Sequence, residues 1–336
     1  MNYKIKHYAL AALMAATGSD IQAQEFNSAY FIDGVTSRHE LNPAFDADQD
    51  YFSFPVLGSL NVKFQGNFGL QDVLFKNPNS GYYNRTFMHP DVSVSEALSG
   101  FNKGDNIITE DISITLLSAG FKGFGGYNTI ELKERSIGDI ALPYELFEFA
   151  KDINNRSYNF DNIRVKASLY TEIALGHSHQ FNEKLRIGAK VKLLLGQANA
   201  DLAIEGLQAN MVGDQWQLTS KKAEANINMK NIKFKNKTSD YKVSGTYEHV
   251  DFGETDIDGI GISGFGLGLD LGTQYELIDG LKVSAAIRDL GFISWSDNHL
   301  LKQRSSTFTF NGFHDVAIKS EDSKPGELLD DKMDGY

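Results

Sequence analysis

The chain has no cysteine, so disulfide staples, thiolate nucleophiles and cysteine-held metals are excluded from the start. It has no excess of positive charge either. Its 32 Lys and Arg stand against 44 Asp and Glu, a formal net charge of -12, which argues against a nucleic-acid partner. Beyond the first residues there is no apolar run near the roughly twenty residues a helix needs to cross a bilayer. A membrane could then be met only by strands closed into a barrel, or by attachment at its surface. What is plentiful is glycine, 31 residues against six prolines, with aromatics at 12%. That balance predicts a β protein with tight turns and long strands.

The first residues, MNYKIKHYALAALMAATGSDIQAQ, place Lys4, Lys6 and His7 ahead of a short apolar run from Tyr8 to Thr17, with a processing site over Ile21 to Gln24. This pattern predicts a signal peptide over 1–24. The run has about half the length of a membrane helix. No cysteine follows it, which excludes a lipid-anchored lipoprotein.

In GLGLDLGTQYELIDGLKVSAAI, 266–287, small or polar residues alternate with oily ones. Leu267, Leu269, Leu271, Thr273 and Tyr275 share one face, and Gly268, Asp270, Gly272, Gln274 and Glu276 the other. Leu281, Val283, Ala285 and Ile287 then oppose Lys282, Ser284, Ala286 and Arg288. A loop Ile278-Asp279-Gly280, with Gly280 in the left-handed position, would set Leu277 against Leu281, Tyr275 against Val283, Glu276 against Lys282 and Asp270 against Arg288. The same grammar fills 163–181, where Lys166, Tyr170 and Glu172 are on the polar face, and 185–195, where Lys190 and Lys192 are. Glycines at alternate positions would leave a soluble core underfilled but suit a wall beside a crowded lumen. Each oily face spans about the nine to eleven residues of a tilted membrane strand. Lys166, Tyr170, Glu172, Lys190, Lys192, Asp270, Gln274, Glu276, Lys282 and Arg288 are therefore the candidate lumen-facing residues, with mutual charge satisfaction as the favoured role.

Further strands are expected over 51–69, with a bulge at Pro55 and Gly58, and over 107–117 and 121–133, joined by a short turn Ser118-Ala119-Gly120. Long polar connections at 75–106, 134–162 and 203–261 alternate with short turns, the plan of an outer-membrane barrel with its long loops outside. Leu142 to Asp152 has the spacing of a short amphipathic helix in one such loop. The strands counted number seven, ending near Leu290, and the acidic tail 319–336 offers no closing strand. An even number is the rule, so the fold expected is all-β, a transmembrane antiparallel barrel apparently incomplete at its C-terminus, unless 203–261 and 307–318 supply uncounted strands.

No motif points to chemistry. Gly259, Gly261 and Gly264 spell G-x-G-x-x-G, but a period-two strand follows where a nucleotide site needs a helix. Asp46, Asp48 and Asp50 begin like a calcium loop whose glycine and glutamate positions hold Tyr51 and Leu57. His177 and His179 share a strand face with no third ligand nearby, and no serine sits in a G-x-S-x-G elbow. No enzyme activity and no cofactor or metal is expected.

The segments SAYFIDGVTSRHELNPAF, FSFPVLGSLNVKF, ALPYELFEFAK and GFGLGLDLGTQYELIDGLKVSAAIRDLGFISW together resemble an uncharacterised family of outer-membrane barrels of Bacteroides-type bacteria. Asn42, Pro43 and Ala44 resemble the Asn-Pro-Ala element after the plug of FadL-type long-chain fatty-acid transporters. The resemblance implies a plug over 25–50 closing a barrel over 51–318, in the outer membrane of a Gram-negative bacterium. It implies passage of small or hydrophobic molecules, with lipid around the wall, or else a scaffold for surface or secretion-machinery proteins.

Overall fold

The structure is a computed structural model and describes residues 30, 32, 34–47, 49–54, 60–213, 216–241, 245–303 and 306–310. The expected signal peptide, the start of the plug and the polar tail lie outside the described residues. In chain order the strands are β1 (Tyr51–Ser53), β2 (Leu60–Gly66), β3 (Leu74–Lys76), β4 (Tyr83–Thr86), β5 (Asp105–Gly123), β6 (Gly126–Pro143), β7 (Ser157–Asn159), β8 (Ile163–Gln180) and β9 (Leu185–Glu205). They continue with β10 (Gln208–Asn210), β11 (Trp216–Ser220), β12 (Lys222–Met229), β13 (Ile232–Tyr241), β14 (Gly245–Ile257), β15 (Gly264–Ile278), β16 (Leu281–Trp295), β17 (Asn298–Gln303) and β18 (Ser306–Phe310). Three short helices, α1 (Leu70–Val73), α2 (Val94–Leu98) and α3 (Tyr144–Lys151), sit in the connections. The protein is all-β, with antiparallel sheets throughout the described residues.

The main sheet has ten strands. β1 and β2 both lie along β5, β15 and β12 both along β9, and β16 and β17 continue that pattern beside β15 and β12. Ten strands with three such pairs occupy seven rows, in the order read from the sequence. Among the described residues the β16 row pairs only with the β15 row, and the β1–β2 row only with β5. The 203–261 region, read as a long polar connection that could supply uncounted strands, carries β10 to β14. Of these, β12 extends the main sheet, β13 and β14 form a ribbon of their own, and β10 and β11 join β7 and β18 in a separate four-stranded sheet. Of the 307–318 stretch, 307–310 lie in β18, which pairs with β11 and not with the main sheet, and the rest lies outside the described residues.

The turns correct two expectations. Ser118, Ala119 and Gly120 are inside β5, paired with Glu131, Ile130 and Thr129, and the chain reverses instead at Phe124-Gly125. Both turn residues have positive φ, 53° and 75°, as a two-residue reversal between twisted strands requires. Asn182-Glu183-Lys184 does join β8 to β9, closed by Phe181 N–H on Leu185 C=O at 2.8 Å. In the β15–β16 hairpin Tyr275 faces Val283 and Glu276 faces Lys282 as read, but Leu281 faces Ile278, not Leu277. Asp270 does not face Arg288. Leu269 pairs with Leu290 and Leu271 with Ile287, so Arg288 and Asp289 together oppose Asp270 in a β-bulge, with Asp289 at φ 59°.

The expected helix forms as α3 between two aromatic clusters. Phe147 stacks on Phe101 with centroids 4.0 Å apart, and Phe149 meets Tyr158 and Phe160 at 5.2 and 5.4 Å. Over 187–196 of β9 and 264–271 of β15 burial alternates from residue to residue, and its sense is inverted relative to a soluble sandwich. Lys190 and Asp270 are each 2% exposed, whereas Leu267 is 56% and Phe292 66% exposed. The Phe124-Gly125 reversal gives a direct check. Gly125→Val places a branched side chain at positive φ and should destabilise the hairpin by about 1 to 3 kcal/mol in denaturant titration. An unchanged midpoint would place the reversal elsewhere.

Candidate functional site: a segment seated on a charged sheet face

Residues 34–47 lie on the face of the sheet that carries the charged side chains, here the inner face. A 3-10 helix, Thr36–Glu40, leads into Asn42-Pro43-Ala44. Asn42 and Ala44 are fully buried. The Asn42 amide donates to the Thr273 and Ala285 carbonyls at 3.2 and 3.3 Å, and its oxygen accepts the Ala44 N–H at 2.9 Å. The seat exists because Gly272 and Gly188 face each other across β15 and β9. A Cβ on Gly188 would stand 2.0 Å from the Pro43 carbonyl oxygen, and one on Gly272 would stand 2.0 Å from Asn42 Oδ1. The alternating glycines of the sequence thus make room for a chain segment.

On either side of this seat the segment is pinned by charge. Asp46 pairs with Arg186 at 2.8 Å, and Arg288 donates to the Glu40 carbonyl at 3.1 Å. Glu40 pairs with Lys133 at 2.7 Å, and Lys133 with Glu131 at 3.1 Å. Glu131 also pairs with Lys190. Glu131 is on β6 and Lys190 on β9, and they meet across the intervening β8 because its inner positions there are Ala174 and Gly176. His39 completes this group, with Nε2 2.6 Å from Tyr51 Oη and Nδ1 3.4 Å from Lys190 Nζ. Burial foremost, and then the Lys190 charge, hold the His39 ring down at about 3.

A second charged group adjoins the first. Lys192 pairs with Asp270 at 2.8 Å and with Glu172 at 3.6 Å. Arg135 pairs with Asp111 at 2.9 Å, Asp289 at 3.0 Å and Glu172 at 3.6 Å, with its guanidinium 5.8 Å from the Tyr170 ring centroid. The bulge serves this group: Asp289 N–H donates to Asp270 Oδ1 at 2.7 Å, which turns the Asp289 carboxylate toward Arg135 and Lys192.

Of the residues proposed from the sequence, Tyr170, Glu172, Lys190, Lys192 and Asp270 are gathered and buried here, and Arg288 reaches the plug in place of Asp270. Lys166 stands apart, 60% exposed and paired with Asp201 at 3.6 Å. Gln274, Glu276 and Lys282 line an open polar cavity of about 270 Å³ at the turn end, with Gln180, Lys184 and Arg186. Sequence reading missed Glu131, Lys133 and Arg135, although Ile130 and Leu132 alternate with them in TIELKER. It also missed His39, Glu40 and Asp289. Asp46 and Asp50, read as an ordinary acidic turn, instead make long-range contacts, Asp46 with Arg186 and Asp50 accepting the Lys122 N–H at 2.9 Å, and Asp48 lies outside the described residues. No group of three or more metal-ligating side chains occurs among the described residues.

The arrangement is a set of opposite charges under a seated segment. Comparison with protein families adds one fact. The chain belongs to the family of unknown function DUF5723. The match covers residues 43–334, and so takes in Pro43, Ala44 and every strand of the main sheet. No curated protein and no solved structure matches this DUF5723 chain.

Two substitutions test the site. Gly188→Val should push Pro43 from its seat, at about 1 to 3 kcal/mol of overpacking, and expose residues 34–47 to protease while the sheet survives. Gly104→Ala, which meets nothing within 4 Å, is the control and should change nothing. Lys190→Met should cost about 3 to 5 kcal/mol by leaving the buried Glu131 with Lys133 alone, and adding Glu131→Leu should restore much of that loss, measured as a double-mutant cycle. Additive losses would mean the two charges do not depend on each other.

Proposed function

We propose that this chain forms the wall of an outer-membrane β-barrel whose lumen is closed by the segment around Asn42-Pro43-Ala44, and that it passes small molecules when that segment moves. The observation that supports this reading is the inverted burial of the main sheet. Leu175, Val191, Leu193, Phe265, Leu267, Leu290 and Phe292 are all exposed on one face, while lysines and carboxylates are buried on the other. Each such apolar side chain forgoes about 1.5 to 3 kcal/mol if left in water, a loss that lipid removes. An apolar patch of this extent on a monomer marks a membrane or a partner surface.

A wall in lipid needs both edge rows satisfied, because an open edge leaves backbone groups unpaired at several kcal/mol each. Closure of the sheet is part of the proposal. The lining beside the plug is charged, which favours small polar cargo over hydrophobic cargo. A second reading, a scaffold for surface or secretion-machinery proteins, is favoured by the folded connections, where α3, two aromatic clusters and a four-stranded sheet build a body of their own. Purified protein in planar bilayers separates the two. Deletion of 26–45 should raise single-channel conductance well above that of the intact chain. Equal conductance, with the protein in the outer-membrane fraction, would favour the scaffold. Recovery in the soluble periplasmic fraction without detergent would remove both readings.

A further inference from the structure

We infer that His39 is an acid-operated latch on the plug, protonation of its Nδ1 releasing the segment from the inner face. The inference rests on the plug reading above and adds the condition under which the plug moves.

The Lys190 ammonium has only donors, so at 3.4 Å His39 Nδ1 accepts from it. The ring proton is then on Nε2 and points at Tyr51 Oη, 2.6 Å away, which leaves the tyrosine proton for Ser118 Oγ at 2.8 Å. Both ring nitrogens are occupied only while the imidazole is neutral. The charges facing the ring are balanced in that state: Lys190 and Lys133 against Glu131 and Glu40. The one carboxylate close to Nδ1 is Glu131, at 3.8 Å, and it is already engaged by both lysines. A proton on Nδ1 would therefore set a third cation against Lys190, in a place where the ring is 3% exposed and water cannot solvate it. His39 belongs to the plug while Lys190, Glu131, Lys133 and Tyr51 belong to the wall, so the way to relieve the clash is to part the two.

The docked ring sits at about 3, below its ordinary 6.5, because of burial and Lys190. Between those values the released segment binds a proton that the docked one refuses. Docking is at full strength above pH 6.5 and weakens about tenfold per pH unit as pH falls from there toward 3.

The test uses the full chain in liposomes. The absence of cysteine lets spin labels be placed cleanly at Ile32→Cys and Glu183→Cys, and pulsed distance measurements give the ratio of docked to released plug. That ratio should fall about tenfold between pH 7.5 and 5.5, where the carboxylates stay ionised, and about a hundredfold by pH 4.5. His39→Gln, whose amide can accept from Lys190 and donate to Tyr51, should flatten the response. A docked plug down to pH 4.5, or the same slope in His39→Gln, would overturn the latch and leave the plug reading intact. A released plug at pH 7.5 would overturn both.

Discussion

Glu131 has no exposed surface, and a carboxylate removed from water must be paired or neutralised. The wall supplies Lys190 and Lys133 to meet it, and much of the local sequence follows from letting them reach. Ala174 and Gly176 are small so that side chains from β6 and β9 can close over β8, and a Cβ on Gly176 would stand 2.3 Å from Thr129 Oγ1. The 34–47 segment adds to these pairs, since Glu40 meets Lys133 as well and His39 covers Lys190. Buried ion pairs of this kind gain little net stability, because desolvation offsets attraction, but each member becomes costly to lose. Their effect is to specify one seat for one segment.

The same constraint explains why the two faces of the sheet differ. A strand has period two, so a face of lysines and carboxylates comes with a face of leucines and phenylalanines, and whatever medium suits one is wrong for the other. Here the 34–47 segment and the cross-strand pairs cover the polar face, and the apolar face is left exposed. The row of Gly188, Gly272 and Ala286 gives the plug backbone its approach, while their sequence neighbours Ile187, Leu271 and Ile287 stay exposed on the far side.

What the sequence disclosed is what period-two alternation can disclose. The face assignment of Lys190, Lys192, Asp270 and Glu172, the order of the seven rows, the turn at Asn182 to Lys184 and the helix after Pro143 were all legible from pattern alone. Alternation fails where a strand gains a residue. The Asp270–Arg288 pairing was misread because a bulge puts both Arg288 and Asp289 on the inner face, and nothing local in IRDLG marks the extra residue. The turn was misplaced because Ser118-Ala119-Gly120 looks more like a reversal than Phe124-Gly125, whose positive φ at a phenylalanine is imposed by the pairing of Gly123 with Gly126. His39 and Glu40 could not be found at all, since their meaning depends on strands more than ninety residues away, Lys133 and Lys190 among them.

In the proposed barrel the two faces of this sheet meet different media, lipid on one side and a seated polypeptide on the other. Single cysteines carrying a fluorophore, placed one at a time through 187–194 in the otherwise cysteine-free protein, measure this directly when reconstituted with spin-labelled lipid. Strong lipid quenching at Ile187, Val191 and Leu193, with weak quenching at Gly188, Lys192 and Leu194, is the pattern the account predicts. Equal access of aqueous quencher to both sets, without alternation, would contradict it.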